Sequence, residues 1–148
     1  MNREVIYSTL FTKVTAVAKF VTKERRLRHW SDVAPAEQPA LFMVQEGEDV
    51  EYPVLGAPGT WTFRARLYLY VHTSDPYASP SVEMNKLVDA VQDALKPPPI
   101  GHGGRPVQTL GLEPVVQHCW IEGTIETDEG VLGDQTVAII PVNILCVG

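Results

Sequence analysis

Cysteine and long apolar runs are both scarce in this sequence. Cys119 and Cys146 are the only two cysteines among 148 residues, too few for the disulfide framework of a small secreted protein. Each lies in an apolar segment, where a thiol behaves as a small hydrophobic group, so we expect both to be reduced. The longest apolar run, residues 137–142, contains Pro141 and is far shorter than the ~20 residues of a membrane-spanning helix. The sequence therefore predicts neither a disulfide scaffold nor a membrane protein.

The N-terminus lacks the apolar stretch of a signal peptide. Glu4 and the polar residues Tyr7, Ser8 and Thr9 occupy the positions where that stretch would lie. We therefore expect the chain to stay in the cytosol.

Motifs that would mark a phosphate-binding or hydrolytic enzyme are also missing. Phosphate-binding loops need a glycine-rich turn followed by Lys and Ser or Thr at a helix start. The nearest cluster, residues 101–105, is followed by Pro106, and we interpret it as a surface loop in preference to an anion-binding nest. No serine lies in a Gly-x-Ser-x-Gly nucleophile elbow, so nothing supports α/β-hydrolase chemistry.

Candidate metal ligands are poorly placed. His118 and Cys119 are adjacent, so in a strand they point to opposite faces and do not share an ion. Asp128, Glu129 and Asp134 flank the glycines of an expected turn and are better interpreted as solvated residues at the end of a hairpin. The sequence therefore predicts no metal and no cofactor.

Charge is divided unevenly along the chain. The net charge is −6, yet residues 1–29 carry +5 and residues 30–148 carry −11. The dense positive segment consists of Lys23, Arg25, Arg26, Arg28 and His29. Such a segment could neutralise nucleic-acid phosphates, with Trp30 as a stacking platform, but the pI of about 5.1 is opposite to that of most nucleic-acid binders.

Two other interpretations of this segment stay open. One is a solvated strand edge with Trp30 in the core. The other is contact with the acidic residues 46–51 of a neighbouring copy, as in a head-to-tail ring. The charge division favours a protein partner or self-assembly over free nucleic acid.

Periodicity predicts two helices. Apolar residues at steps of three or four predict a first helix over residues 3–21; they are Ile6, Leu10, Val14, Val17 and Val21. Ser79 and Pro80 are typical of a helix start, and prolines 97–99 forbid continuation. The second helix is therefore predicted to end at Lys96.

Alternation and apolar runs predict the strands. Residues 60–72 alternate most regularly, and residues 135–147 are so apolar that we expect burial on both faces. The breaker-rich residues 47–59 predict a long, mobile hairpin loop. The other predicted strands are a short one near Trp30 and residues 40–46, 107–112 and 115–127. This order predicts one α+β domain over residues 1–148, with a mainly antiparallel sheet of five to six strands and two helices packed on one face.

Several of these segments together resemble one protein family. The N-terminal helix is followed by Arg28-His29-Trp30-Ser31-Asp32-Val33 and then by Glu37-Gln38-Pro39-Ala40-Leu41-Phe42. An alternating aromatic strand, a middle helix with a proline-rich exit and the apolar ending from Gln135 to Leu145 complete the pattern. The chain resembles the tail terminator (tail completion) proteins of long-tailed bacteriophages and related prophage elements.

The resemblance implies a structural protein without catalytic residues or a cofactor. Members of this family form a hexameric ring that caps the tail tube, stops its polymerisation and offers a surface to the head connector. The implied partners are further copies of the chain, the tail tube protein and the head-tail connector protein, with no free nucleic acid and no membrane. The implied location is the host cytoplasm during assembly and then the head-proximal end of the virion tail.

We expect charged residues and loops to form the subunit and partner contacts. The candidates are Arg25, Arg26, Arg28, Glu46, Glu48, Asp49, Glu51, His102 and Arg105. Two alternatives remain. The chain could be another head-tail joining or minor tail component, or a small-molecule-binding or enzymatic α+β domain, which would need a concave apolar pocket with converging polar groups.

Overall fold

The computed structural model describes residues 1–100, 102–130 and 132–148, with His102 described in its backbone alone. Within them lie two α-helices and six strands. They are α1 (Arg3–Thr15), β1 (Thr22–Glu24), β2 (Ala40–Glu51), β3 (Thr60–His72), α2 (Pro80–Ala94), β4 (Val116–Ile121), β5 (Glu126–Asp128) and β6 (Gln135–Val147). Short 3-10 turns lie at Trp30–Asp32, Pro35–Glu37 and His102–Gly104.

One sheet runs through the molecule in the order β1-β2-β3-β6-β4, and β5 pairs with β6 beside β4. Only β1 and β2 are parallel; the other pairs are antiparallel. The three long strands form its centre, with β3 paired to β6 along its whole length from Thr60↔Val147 to His72↔Gln135. The predicted α+β class and the mainly antiparallel sheet are confirmed.

Both helices pack on the same face of this sheet. The buried residues of α1 and α2 belong to one apolar cluster with alternate residues of β2, β3, β4 and β6. Its largest fully buried members include Tyr7, Phe63, Leu67 and Ile144. A smaller cluster of Val33, Ala40, Phe42 and Tyr70 lies on the opposite face, covered by Trp30. The prediction of two helices on one face is therefore confirmed.

The first helix ends earlier than its apolar stripe predicts. Helix α1 stops at Thr15, and Val21 is 60% exposed while Phe20 is buried. The backbone N–H of Val21 donates to the carbonyl of Pro39 at 2.9 Å, which directs the chain into β1. This pairing with a distant segment replaces the last turns of the predicted helix. The short strand predicted near Trp30 is also wrong, because the strand is β1 and Trp30 starts a 3-10 turn.

Strand β2 is longer than predicted. It continues to Glu51, so only residues 52–59 remain of the loop predicted at 47–59. A bulge between Gln45 and Glu48 lies within β2, and beyond the bulge Glu48, Asp49 and Glu51 pair with β3. At the other helix, α2 ends at Ala94 with Leu95 as its C-cap, two residues before the predicted end.

Two predicted strands are interrupted by turns. Residues 107–112 form no strand, because Leu110 and Gly111 have φ values of 57° and 72°, outside the extended region. Residues 115–127 divide into β4 and β5 at Gly123, whose φ is 107°. Strand β6 has the predicted bounds, but its odd-numbered residues 137–145 are only half-buried. The expectation that β6 is buried on both faces was therefore wrong, since only its inner face is covered by helices.

Candidate assembly surfaces

Three candidate arginines follow strand β1, and two of them form ion pairs within the chain. Arg25 forms an ion pair with Glu4 of α1. Arg28 lies between Glu37, at 2.8 Å from Nη1, and Glu24, at 3.5 Å from Nε. These pairs link β1 to α1 and to the segment before β2. Because they are partly solvent-exposed, they contribute little to stability but fix the direction of both side chains.

Four exposed side chains lie close to these arginines along the chain, at positions 21, 23, 26 and 27. Arg26 and Lys23 are exposed, and neither forms an ion pair with any residue that the structure describes. Val21 is 60% exposed and Leu27 40% exposed beside them. We call these four residues the basic patch. It combines positive charge with exposed apolar area.

The acidic candidates on β2 are mostly paired as well. The pairs are Glu46 with Arg66, Asp49 with Arg64, and Glu48 with Arg3, whose Nε lies 2.9 Å from Oε2. Glu51, the last residue of β2, is exposed and has no ion pair among the described residues. The acidic charge left free on this strand is therefore concentrated at its end.

The β2–β3 connection, residues 52–59, carries bulky apolar side chains into solvent. Leu55 is fully exposed, and Tyr52 and Val54 are each more than 60% exposed. The Tyr52 ring lies close to Gly59, and a Cβ at this glycine would lie 3.0 Å from Cε1 of the tyrosine. We call residues 51–59 the hairpin tip.

The base of the hairpin tip is held firmly. The guanidinium of Arg3 lies 4.9 Å from the centroid of the Trp61 ring, a cation–π distance. Trp61 Nε1 donates to the carbonyl of Gly148 at 3.2 Å, and the Gly148 N–H donates to the carbonyl of Gly59. The apolar tip therefore extends from an anchored base.

The remaining candidates lie on the loop after α2. His102 begins the 3-10 turn His102–Gly104, and its side chain lies outside the described residues. Arg105 is exposed and lines an open groove of about 650 Å³ together with Glu113 and His118. The structure brings these loop residues to the end of the sheet that also holds Thr60 and Val147, away from the basic patch.

The polar groups in this groove are largely bonded to each other. His118 Nδ1 accepts a hydrogen bond from the backbone N–H of Gln108 at 3.0 Å, and the hydroxyl of Thr109 donates to Glu113. The His118 ring also stacks on Trp120, with centroids 5.2 Å apart. Burial lowers the pKa of His118 below its ordinary value, which favours the neutral ring that this acceptor role requires.

A second groove, of about 490 Å³, lies on the face of the sheet opposite the helices. Arg64 and Arg66 line it, and both already form ion pairs with β2. Glu122 accepts hydrogen bonds from Trp120 Nε1 and from Asn143 Nδ2, at 3.1 and 2.8 Å. In both grooves, most of the polar side chains described above form hydrogen bonds or ion pairs with other groups of the chain.

The two thiols are poor nucleophiles. Burial raises the pKa of Cys119 to about 12 and that of Cys146 to about 11. Both stay protonated near neutral pH, whereas the thiolate is the reactive form. In the described part of the chain, no three His, Cys, Asp or Glu side chains group as metal ligands. No helix among the described residues is long and apolar enough to cross a membrane.

The sequence did not identify the hairpin tip as a cluster of exposed apolar groups. The signal was present, since Tyr52, Val54 and Leu55 are bulky residues in a segment otherwise rich in glycine, proline and acidic residues. The interpretation of the segment as a polar loop concealed it.

The chain is similar to known proteins in fold. No family model matches the sequence, and no curated protein sequence matches it. The structure is similar to a chain of a solved structure described as the virion of a native gene transfer agent particle. The TM-score is 0.58 at 10% identity, over 95% of this chain and 93% of that chain. The two chains share a fold.

Proposed function

We propose that this chain is a structural protein of a phage-like particle and acts there as a tail terminator. In this role, six copies form a ring that caps the tail tube, stops its growth and offers a surface to the head-tail connector. The observation that carries the proposal is the fold similarity to a chain of a gene transfer agent virion, because it extends over nearly the whole of both chains. The resemblance of the sequence to tail terminators supports the finer role independently.

The chemistry of the described surface is compatible with assembly. The two thiols are buried and protonated, and the polar groups of the grooves are bonded to each other. Among the exposed charged residues without an ion pair in the described part of the chain, Arg26 and Glu51 each lie next to exposed apolar residues. Protein interfaces combine such features. The proposal therefore includes no reaction and no cofactor.

The experiment is to polymerise the purified tail tube protein of the same particle with and without this chain. A terminator should shorten the tubes as its concentration rises, as measured by electron microscopy. A head-tail joining protein should bind tube ends without arresting growth, and a protein of another kind should do neither. Tubes of unchanged length would contradict the terminator role.

A charge-reversal variant tests whether the candidate basic residues take part. Arg26→Glu is preferable to changing Arg25 or Arg28, because those two are paired with Glu4, Glu24 and Glu37 and their loss would disturb the chain locally. We expect Arg26→Glu to weaken termination without changing the melting temperature. Lys86→Glu, on an exposed position of α2, is the matched control for net charge. Equal activity of the two variants would mean that the basic patch is only a solvated surface.

A further inference from the structure

The hairpin tip has the composition of a docking element. Tyr52, Val54 and Leu55 expose large apolar side chains, and Glu51 adds an unpaired negative charge at the end of β2. A cluster of exposed apolar groups on a projecting turn marks an interaction site. The anchored base formed by Arg3 and Trp61 reduces the conformational entropy that such a tip would lose on binding.

The basic patch has the complementary composition. Val21 and Leu27 supply exposed apolar area, and Lys23 and Arg26 supply positive charge. Opposite charge around an apolar contact is the arrangement that orients and selects a partner. The hairpin tip and the basic patch therefore both expose apolar side chains, and their charges are opposite.

The two surfaces are too far apart to meet within one chain. Glu24 of β1 pairs with Phe42 near the start of β2, and Glu51 lies nine residues further along that strand. At about 3.3 Å per residue, the separation is about 30 Å. The tip of one molecule can therefore reach a basic patch only on another molecule.

We propose that the hairpin tip of one copy docks onto the basic patch of the next, so that the joint is head-to-tail. This inference rests on the proposed assembly function and specifies the surfaces it uses. Because the tip and the patch are different surfaces, each copy uses its tip to bind one neighbour and its patch to bind another. Such joints repeat from copy to copy until a ring closes. Leu55 is the apolar anchor of the joint, and Glu51 faces Arg26 of the neighbouring copy.

Two single variants, each lacking one half of the joint, test this geometry. Leu55→Asp disables the tip and Leu27→Asp disables the patch, both at positions exposed enough to leave the fold intact. Each variant alone should associate at least about tenfold more weakly than the wild type, as expected when an interface anchor is lost, and should scatter light as a 16.4 kDa monomer. Tyr77→Asp, at a residue about as exposed as Leu55, is the matched control for the tip variant and should assemble normally.

Mixing the two variants gives the decisive result. Leu55→Asp keeps an intact patch and Leu27→Asp keeps an intact tip, so the mixture should form one joint and stop at a dimer, twice the 16.4 kDa of one chain. A symmetric tip-to-tip or patch-to-patch contact would give no such complementation. Normal assembly of both variants alone, or a mixture that stays monomeric, would overturn the head-to-tail joint.

A charge swap provides an independent check. Glu51→Lys and Arg26→Glu should each weaken association by about tenfold, and the double variant should recover most of the loss because the charges are again opposite. A double variant that associates no better than the single variants would contradict the contact between Glu51 and Arg26.

The head-to-tail joint and the terminator role can fail separately. If the joint variants assemble normally but the wild-type chain stops tube growth, only the proposed joint is wrong. If the joint variants behave as expected but the wild-type chain does not stop tube growth, only the terminator role is wrong. A wild-type chain that stays monomeric, alone and on tubes, contradicts the inference.

Discussion

Replacing Gln135 with alanine should lower the free energy of unfolding by about 2–4 kcal/mol, although the position is polar. Gln135 is only 5% exposed and forms a reciprocal amide pair with Gln38. Gln38 Nε2 donates to Gln135 Oε1 at 2.7 Å, and Gln135 Nε2 donates back to Gln38 Oε1 at 3.0 Å. Gln135 Nε2 also lies 3.1 Å from the carbonyl of Val71. The pair joins the segment before β2 to the start of β6.

The magnitude follows from the groups that lose their partners. Each hydrogen bond contributes about 1 kcal/mol net, and a buried polar group left unpaired costs about 1–3 kcal/mol. Gln135→Ala breaks both bonds of the pair and leaves the amide of Gln38 half satisfied beside the carbonyl of Val33, to which it also donates at 3.0 Å. The lost bonds and the unpaired amide together give the expected loss.

Urea denaturation followed by circular dichroism measures this loss and its coupling. The double variant Gln38→Ala/Gln135→Ala should be more stable than the sum of the single losses predicts, with a coupling of about 1–2 kcal/mol. Gln92→Ala, the same change at an exposed helical position, should alter stability by less than about 0.5 kcal/mol. Additive losses from Gln38→Ala and Gln135→Ala, or a loss as small as the control, would refute the role assigned to the amide pair.

Three further predictions concern the core and its titrating groups. Leu67→Ala, at a fully buried position of β3, should lower the free energy of unfolding by about 3 kcal/mol through the cavity it leaves; an unchanged melting temperature would contradict the assignment of sheet faces. Burial lowers the pKa of His118 from its ordinary value of 6.5, so the unfolded state binds more protons and the free energy of unfolding should fall as pH drops through that value. His118→Gln should reduce this slope, and an unaltered slope would refute the assignment. Cys119 and Cys146, both buried thiols, should react with a thiol reagent only as the protein unfolds, and rapid labelling of the native protein would show that the core is open.

The central strands were predictable because local pattern and tertiary environment agree there. Strand β3 alternates apolar and polar residues along its whole length, and one face of it packs against the helices. Strand β6 combines β-branched residues with few breakers, so its bounds were also correct. The burial of its outer face was overestimated because sequence does not reveal that the helices cover only one side.

The turns around residues 107–123 were not predictable for the opposite reason. The apolar residues of this segment predicted strands, but the chain turns at Leu110 and Gly123. Gln108 stabilises the irregular path, since its amide side chain bonds the carbonyl of Lys96 and the N–H of Leu110. The bond to Lys96 joins this segment to the end of α2, and no local sequence pattern indicates such a contact.

The candidate assembly surfaces were also predictable only in part. The density of basic residues at 23–28 indicated an exposed segment, because charge avoids the core, and Lys23 and Arg26 are exposed. The intrachain pairing of Arg25 and Arg28 could not be foreseen, since Glu4 and Glu37 come near only through the fold. The residues left free, Arg26 among them, emerged only after these pairs were known.

The most direct measurement of the central claim is the position of this chain on preformed tail tubes. Wild-type chain carrying a gold label would be added to tubes of the tail tube protein and imaged by electron microscopy. We expect one ring of label at one end of each tube, and no further elongation from that end when tube subunit is added. Label spread along the tube walls, or tubes that continue to grow from the labelled end, would contradict it.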